Sequence, residues 1–514
     1  MRKIKIIFIS VFCFTIVTSY AQKANWQNLD LQKDTVLGIS TERAYSELLK
    51  GKKAQTVIVA VIDDGIDTAH EDLKANIWTN PVKDKLNDIH GWNFIGSAKG
   101  NVNFDNTELV RLLKKNRIEF SGADSTMAIQ KDPQGYLAYR KEEADYNKQL
   151  NEAKAKVRST RYFKSVLDTV LQTINQSKPT IQNFRDFKPG STFQSRVRDI
   201  VVGVLQNNTD YDQYYKANIA DVLKHYQDII DYHLSMDYDP RAIVGDNYSD
   251  DRQSDYGNNN VTGPDAHHGT HVAGIIGAVR DNGLGIQGIA DHVQLMSVRA
   301  IPDGDERDKD IANSICYATD HGAKIINMSF GKAYSWDKQV VDDAVKYAMS
   351  KGVLIVHAAG NEDYDRDTVT RYPTRVYADG SGAAQAWIEV GASGWNDDNT
   401  IKASFSNYGK KTVDVFAPGE KIYSTIPGNK YAAFDGTSMA APVVSGLAAL
   451  IWEYYPKLTA FQVKEIIMKS VYKVNHDIIF NDGHDMQDVP FSDMCITGGI
   501  VNTYNALKLA ATYK

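Results

Sequence analysis

Val57-Ile58-Val59-Ala60-Val61-Ile62-Asp63 is an unbroken apolar run ending in an acid, and Gly65 marks the turn beyond it. A strand with one wet face alternates apolar and polar residues. A continuous run instead predicts a strand buried on both faces, as in a parallel sheet covered by helices. Units of the same kind recur: residues 293–300 are strand-like, 308–321 helical, 323–329 strand-like and 340–351 helical. Gly352 then leads into a strand that ends in the turn at Gly360. The alternation predicts an α/β fold with a mostly parallel central sheet. Two further helices are expected, over residues 439–455 and 460–469.

The rest of the 514 residues agrees with a globular protein, at 43% hydrophobic and 24% charged. That composition excludes a disordered, collagen-like or membrane-embedded chain. A net charge of −6 gives no reason to expect nucleic acid as a partner. Arg2, Lys3 and Lys5 precede an apolar run over 6–17, and Ser19-Tyr20-Ala21 supplies small residues where signal peptidase reads. The run is too short for a spanning helix, which takes about 20 apolar residues, and bulky Phe12 before Cys13 speaks against a lipoprotein. A secretory signal cleaved after Ala21 is therefore expected, giving a periplasmic or extracellular protein with no membrane span. Cys316 and Cys495 then remain, too few for a disulfide framework. Cys316 falls in a helical stretch and reads as a small buried apolar residue.

Residues 101–239 differ in character. Between Tyr136 and Lys178 there is neither Gly nor Pro, and apolar residues recur at helical spacing: Tyr146, Leu150, Val157, then Val166, Leu167, Val170, Leu171 and Ile174. Residues 221–236 repeat the pattern. These read as amphipathic helices packed on one another. The Asp- and Asn-rich stretch 246–260 reads as a loop.

Peptide hydrolysis at neutral pH needs a nucleophile, a base, a group that orients the base, and donors for the oxyanion. Gly436-Thr437-Ser438-Met439-Ala440-Ala441-Pro442 offers Ser438 at the start of a helix, where backbone N–H groups are free. Pro442 is expected in the first turn, where its missing donor is harmless. A Ser that only caps a buried helix is the competing reading. His267-His268-Gly269-Thr270-His271-Val272-Ala273-Gly274 offers the base. His268 and His271 could share a helical face around a metal, but the sequence is not H-E-x-x-H. Asp63, at the carboxyl end of its strand, is the orienting acid, since catalytic groups of open α/β sheets gather at that edge. Alone it could equally cap the turn at Asp64-Gly65.

Together and in this order, the three motifs resemble the subtilisin-like serine peptidases, in which acid, histidine and serine follow one another along the chain. The resemblance implies a subtilisin-like three-layer fold, a triad of Asp63, His268 and Ser438, and an oxyanion-hole asparagine at Asn361. It further implies that Ser329, Phe330 and Gly331 pair with the substrate backbone. With Ala358, Ala359 and Gly360 they would line the pocket for the residue before the scissile bond. No cofactor is required for the chemistry. Structural calcium is frequent in the family, but the Asp-rich stretches 246–255 and 395–399 lack EF-hand spacing and read as solvated loops. Protein or peptide substrates are implied, through an acyl-enzyme on Ser438. A peptide ligase using the same triad, and an inactive peptide-binding protein on the same fold, are the alternatives.

Two departures stand out. Asp64 occupies a position where Ser or Thr is usual, so a second carboxylate should raise the pKa of His268 and move the activity optimum towards alkaline pH. Asp63 and His268 are 205 positions apart, against a few dozen in the family. The expected organisation is a signal over 1–21, a catalytic domain over 22–100 and 240–514, and a helical insertion over 101–239. The insertion could be decoration, a border to the cleft, or an arm through which copies associate. Few residues separate Ala21 from the first strand, so no large pro-domain is expected, and none of the closing residues suggests an appended sorting domain.

Overall fold

The computed structural model describes residues 24–513 apart from 83–86, 121–124, 208–209 and 482–484. The signal reading, from Arg2 to Ala21, lies outside the described residues.

Nine strands form the central sheet: β1 (Val57–Asp63), β2 (Gly91–Asn93), β3 (Val293–Arg299), β4 (Ile325–Met328), β5 (Leu354–Ala358), β6 (Trp387–Ser393), β7 (Val415–Pro418), β8 (Tyr472–Lys473) and β9 (Gly499–Ile500). Their spatial order is β8-β9-β7-β6-β5-β4-β1-β3-β2, and every pair is parallel except β8 with β9. The opening run explains itself in this arrangement. Val57, Val59 and Val61 enter one core with the helices His267–Gly277 and Thr437–Tyr454. Ala60 and Ile62 enter the opposite core with the helices Asp308–Asp320 and Lys338–Ser350. Both faces are dry, so every position of the strand must be apolar.

The helix Thr437–Tyr454 is buried along nearly its whole length. Small residues let it lie close to its neighbours: a Cβ on Gly446 would stand 2.8 Å from Ile289 Cβ. Pro442 is not in the first turn as expected; it sits inside the helix. Its missing N–H leaves the Ser438 carbonyl without a helical donor, and the Ser329 hydroxyl donates to that carbonyl instead, at 2.9 Å.

Between β2 and the helix His267–Gly277 the chain leaves the sheet. It forms α1 (Glu108–Phe120), then α2 (Pro133–Ile174), a single helix of 42 residues started by the Asp132 side chain. Shorter helices follow, among them Thr192–Leu205. These helices build two small cores of their own. One is near the sheet, around Leu109, Leu113, Tyr139, Tyr146 and Leu234. The other is distal, around Leu167, Val170, Phe184, Val201 and Tyr214.

Both ends of this insertion stand on the start of the helix Asp308–Asp320. Arg307 pairs with Asp105 at 2.7 Å and with Asp239 at 3.2 Å, one residue from each end. Arg241 pairs with Asp310 at 2.6 Å, and Lys309 with Asp246 at 2.8 Å. Asp246 is thus a buried ion-pair partner rather than part of a solvated loop. Cys316 is half-buried, Cys495 is buried, and both are free. Among the described residues no helix is long and apolar enough to cross a membrane.

Candidate active site

The carboxyl ends of β1, β4 and β5 lie side by side, which brings Asp63, Ser329 and Ala358 to one edge of the sheet. His268 is the second residue of the helix His267–Gly277, which approaches that edge closely. A Cβ on Gly269 would meet the Gly65 carbonyl at 2.2 Å, so only glycine fits there. The approach sets His268 Nδ1 2.7 Å from Asp63 Oδ1. Asp63 is buried, and the same oxygen accepts the Asp64 N–H at 2.8 Å, which fixes the carboxylate plane.

Asp64 faces the amino terminus of that helix. Its carboxylate accepts the N–H of His268 at 3.1 Å and of Gly269 at 2.7 Å, serving as the cap. Burial first, then the charge of Asp63, raise its pKa to about 8, against the pull of His268 and the two N–H donors. For His268, burial acts downward, but the charge and hydrogen bond of Asp63 and the charge of Asp64 outweigh it and hold the pKa at about 9. The direction is the one expected from the Asp64 departure. His271 is different: burial lowers its pKa to about 3, its Nε2 bonds the Ala432 carbonyl at 3.1 Å, and its ring stacks on Phe434. That ring is committed to packing, which removes the shared-metal reading of His268 and His271. His267 is exposed beside Asp265.

Ser438 lies at the start of the buried helix Thr437–Tyr454, across the sheet edge from His268. Its hydroxyl donates to the Ser329 carbonyl at 3.0 Å, and among the described residues no hydrogen bond joins it to His268. Serine and segment are therefore locked reciprocally, through Ser438 Oγ to the Ser329 carbonyl and Ser329 Oγ to the Ser438 carbonyl. Asn361 follows β5. Its Oδ1 accepts from Thr437 N–H at 2.8 Å and Thr437 Oγ1 at 2.9 Å, so its Nδ2 is the end left to face outward. Nδ2 lies 3.6 Å from where a Cβ on Gly436 would be, beside the serine turn.

Phe330 borders a cavity of about 360 Å³ shared with Asp63, His268, Ser329 and Phe434. Gly331 is exposed. Ala358 is buried in the core beneath the site, Gly360 is half-buried, and the Ala359 methyl is turned into a third core with Ile401 and Phe416. The next residue, Lys332, is fully committed. Its N–H and carbonyl both pair with Tyr372, and its ammonium, buried, lies 2.6 Å from both Glu108 of α1 and Asp308. Glu108 also pairs with Arg111, and although burial acts upward, the charges of Arg111 and Lys332 hold its pKa down at about 2. The insertion thus grips the chain one residue past Gly331. Beyond, α2 faces Ala333–Ser335 and residues 368–372 across a groove of about 870 Å³, and Tyr334 bonds Lys141 of α2. The Asp64 cap, the Ser329 lock and the Lys332 tether were absent from the sequence reading. The unbroken run of charged residues over 305–310 is the sequence signal that could have pointed to the last.

The subtilase family, Peptidase S8, matches residues 54–488 of this chain. A thermophilic serine proteinase of Bacillus sp. (strain AK1) is 41% identical over 216 residues, 42% of this chain and 48% of that protein. Thermitase of Thermoactinomyces vulgaris is 41% identical over 185 residues, 36% of this chain and 60% of thermitase. Subtilisin DY of Bacillus licheniformis is 36% identical over 218 residues, 42% of this chain and 74% of the subtilisin. The chain spans about half of the first of these relatives and three fifths of the second.

Proposed function

The chain belongs to the subtilase family, and on that premise we propose that it is a secreted serine endopeptidase working through an acyl-enzyme on Ser438. The observation that carries the reading is the 2.7 Å bond from His268 Nδ1 to buried Asp63, set at the same sheet edge as Ser438. Asp63 fixes the tautomer that leaves Nε2 free as a base.

A substrate strand adds beside Ser329, Phe330 and Gly331, next to the pocket bordered by Ala358, Ala359 and Gly360. Its amide N–H takes the Ser329 carbonyl, which releases the Ser438 hydroxyl towards His268. His268 accepts the hydroxyl proton as Oγ bonds to the scissile carbonyl carbon. The developing oxyanion is met by Asn361 Nδ2–H and the first-turn N–H of Ser438. His268 then gives its proton to the leaving amine as the C–N bond breaks. Water repeats the cycle: His268 takes its proton, hydroxide attacks the ester, and Ser438 leaves as the alcohol. No cofactor takes part in these steps.

The domain reading goes with this function: a catalytic domain over 22–100 and 240–514 and an insertion over 101–239 that borders the cleft. Export after cleavage at Ala21 is tested by amino-terminal sequencing of the mature protein, which should begin at Gln22. The chemistry is tested with a fluorophosphonate probe. Labelling that disappears in Ser438→Ala supports the reading. A folded protein that the probe never labels would instead be an inactive peptide binder, held by the Ser438–Ser329 lock.

A further inference from the structure

At the opposite end of the sheet from Asp63, Asp291 and His292 immediately precede β3, and Glu453 closes the helix Thr437–Tyr454. One ligand atom from each lies within 4.8 Å of the others. Glu453 is completely buried. Its Oε1 is fixed by the His292 N–H at 3.1 Å, while Oε2 has no hydrogen-bond partner. Asp291 Oδ1 is paired with His292 Nδ1 at 2.9 Å, and the His292 ring is half exposed. Arg280, the neighbouring base, lies over Tyr45 and gives its N–H groups to the Gly288 carbonyl and Glu42. Two carboxylates and one imidazole thus converge, and the buried Oε2 of Glu453 is left without a donor.

We propose that Asp291, His292 and Glu453 bind a divalent transition-metal ion of the zinc class, with water completing the coordination. The donor set decides the class: an imidazole nitrogen with two carboxylate oxygens suits zinc-like ions, whereas calcium takes oxygen alone. Bonds of about 2.0–2.2 Å put tetrahedral donors about 3.4 Å apart, so donors that now lie within 4.8 Å of one another draw together by about an ångström on binding. The ion would pin the end of the nucleophile's helix to the start of β3, roughly 25 Å along that helix from Ser438. Its role would be structural, and it does not depend on the peptidase reading.

The full chain, stripped of metal with a chelator, is titrated with zinc by calorimetry, and its thermal unfolding is followed with zinc or calcium. Saturating zinc is expected to raise Tm by about 5 °C, and calcium is not. His292→Ala, which removes a largely exposed ring and leaves folding intact, should abolish the shift and weaken zinc binding at least tenfold; Glu453→Gln should do the same. A Tm that ignores zinc overturns the proposal, since a shared proton then satisfies the carboxylate pair. Zinc binding that survives unchanged in His292→Ala overturns it as well, because the ion then sits elsewhere, such as His267 or His268.

Discussion

The sheet core and the helical insertion solve the same problem of burial by opposite means. In the core, strands are dry on both faces and the helix Thr437–Tyr454 is apolar on all sides, so a large interior packs against each face of the sheet. The insertion has two small separate cores along α2, and it meets the sheet domain through buried ion pairs: Lys332–Glu108 and Arg307–Asp105. An apolar seam holds two bodies together without fixing their register. Paired charges fix it, because any slip strands a buried charge. The insertion is therefore built to hold a position relative to residues 329–331, with Lys332 as the tether.

Removing the core's chemistry while leaving the insertion whole gives the largest expected effect. Ser438→Ala should lower kcat by about 10⁴-fold or more with unchanged Tm; residual Ser438-independent turnover near the parent rate would break the assignment. Asn361→Ala should cost about 10²–10³-fold, in kcat rather than KM, and a loss confined to KM would reassign the side chain to substrate binding. At the junction, Glu108→Gln should destabilise by about 3 kcal/mol and raise KM for peptides more than it lowers kcat. Glu108 has a folded pKa of about 2 against the usual 4.5, so its contribution is complete above pH 4.5 and fades as pH falls towards 2. Thermal unfolding of Glu108→Gln should accordingly converge with that of the parent at the acid end; a gap constant with pH would refute the tether.

Asp64→Ser is expected to change no fold and to shift the acid limb of kcat/KM to lower pH. In the proposed mechanism His268 is a neutral base; its pKa is held at about 9 partly by the Asp64 charge, and less negative charge makes the proton easier to lose. An acid limb that stays in place would leave Asp64 as a cap alone. The smallest change is expected on the insertion's surface. Lys224→Ala, which breaks the exposed pair with Asp228, should alter stability by no more than about 0.5 kcal/mol, and a larger cost would mean the distal helices bear on the site.

Local pattern was readable where the interior is continuous. The strand Val57–Asp63 and the helix Ala460–Lys469 have the limits their apolar patterns predict. The absence of Gly and Pro marked most of α2. Pro442 was misplaced by a turn because the donor that replaces its missing bond comes from Ser329, 109 residues away. The Asp64 cap and the Lys332 tether were hidden for the same reason: Asp64 meets His268 across 204 residues and Lys332 meets Glu108 across 224, and charge carries no periodicity.

By itself the sequence determined the family and the α/β class, and it named Asp63, His268, Ser438 and Asn361 as candidates, because a buried strand's run and the close approach at Gly269 are demands on residue type. Tertiary structure alone decided how those residues are held. The Ser438 hydroxyl rests on the Ser329 carbonyl, Asp64 caps the His268 helix, and the insertion reaches the chain beside Gly331 through one buried lysine. Those are pairings between distant groups, and only the folded chain brings their atoms within bonding distance.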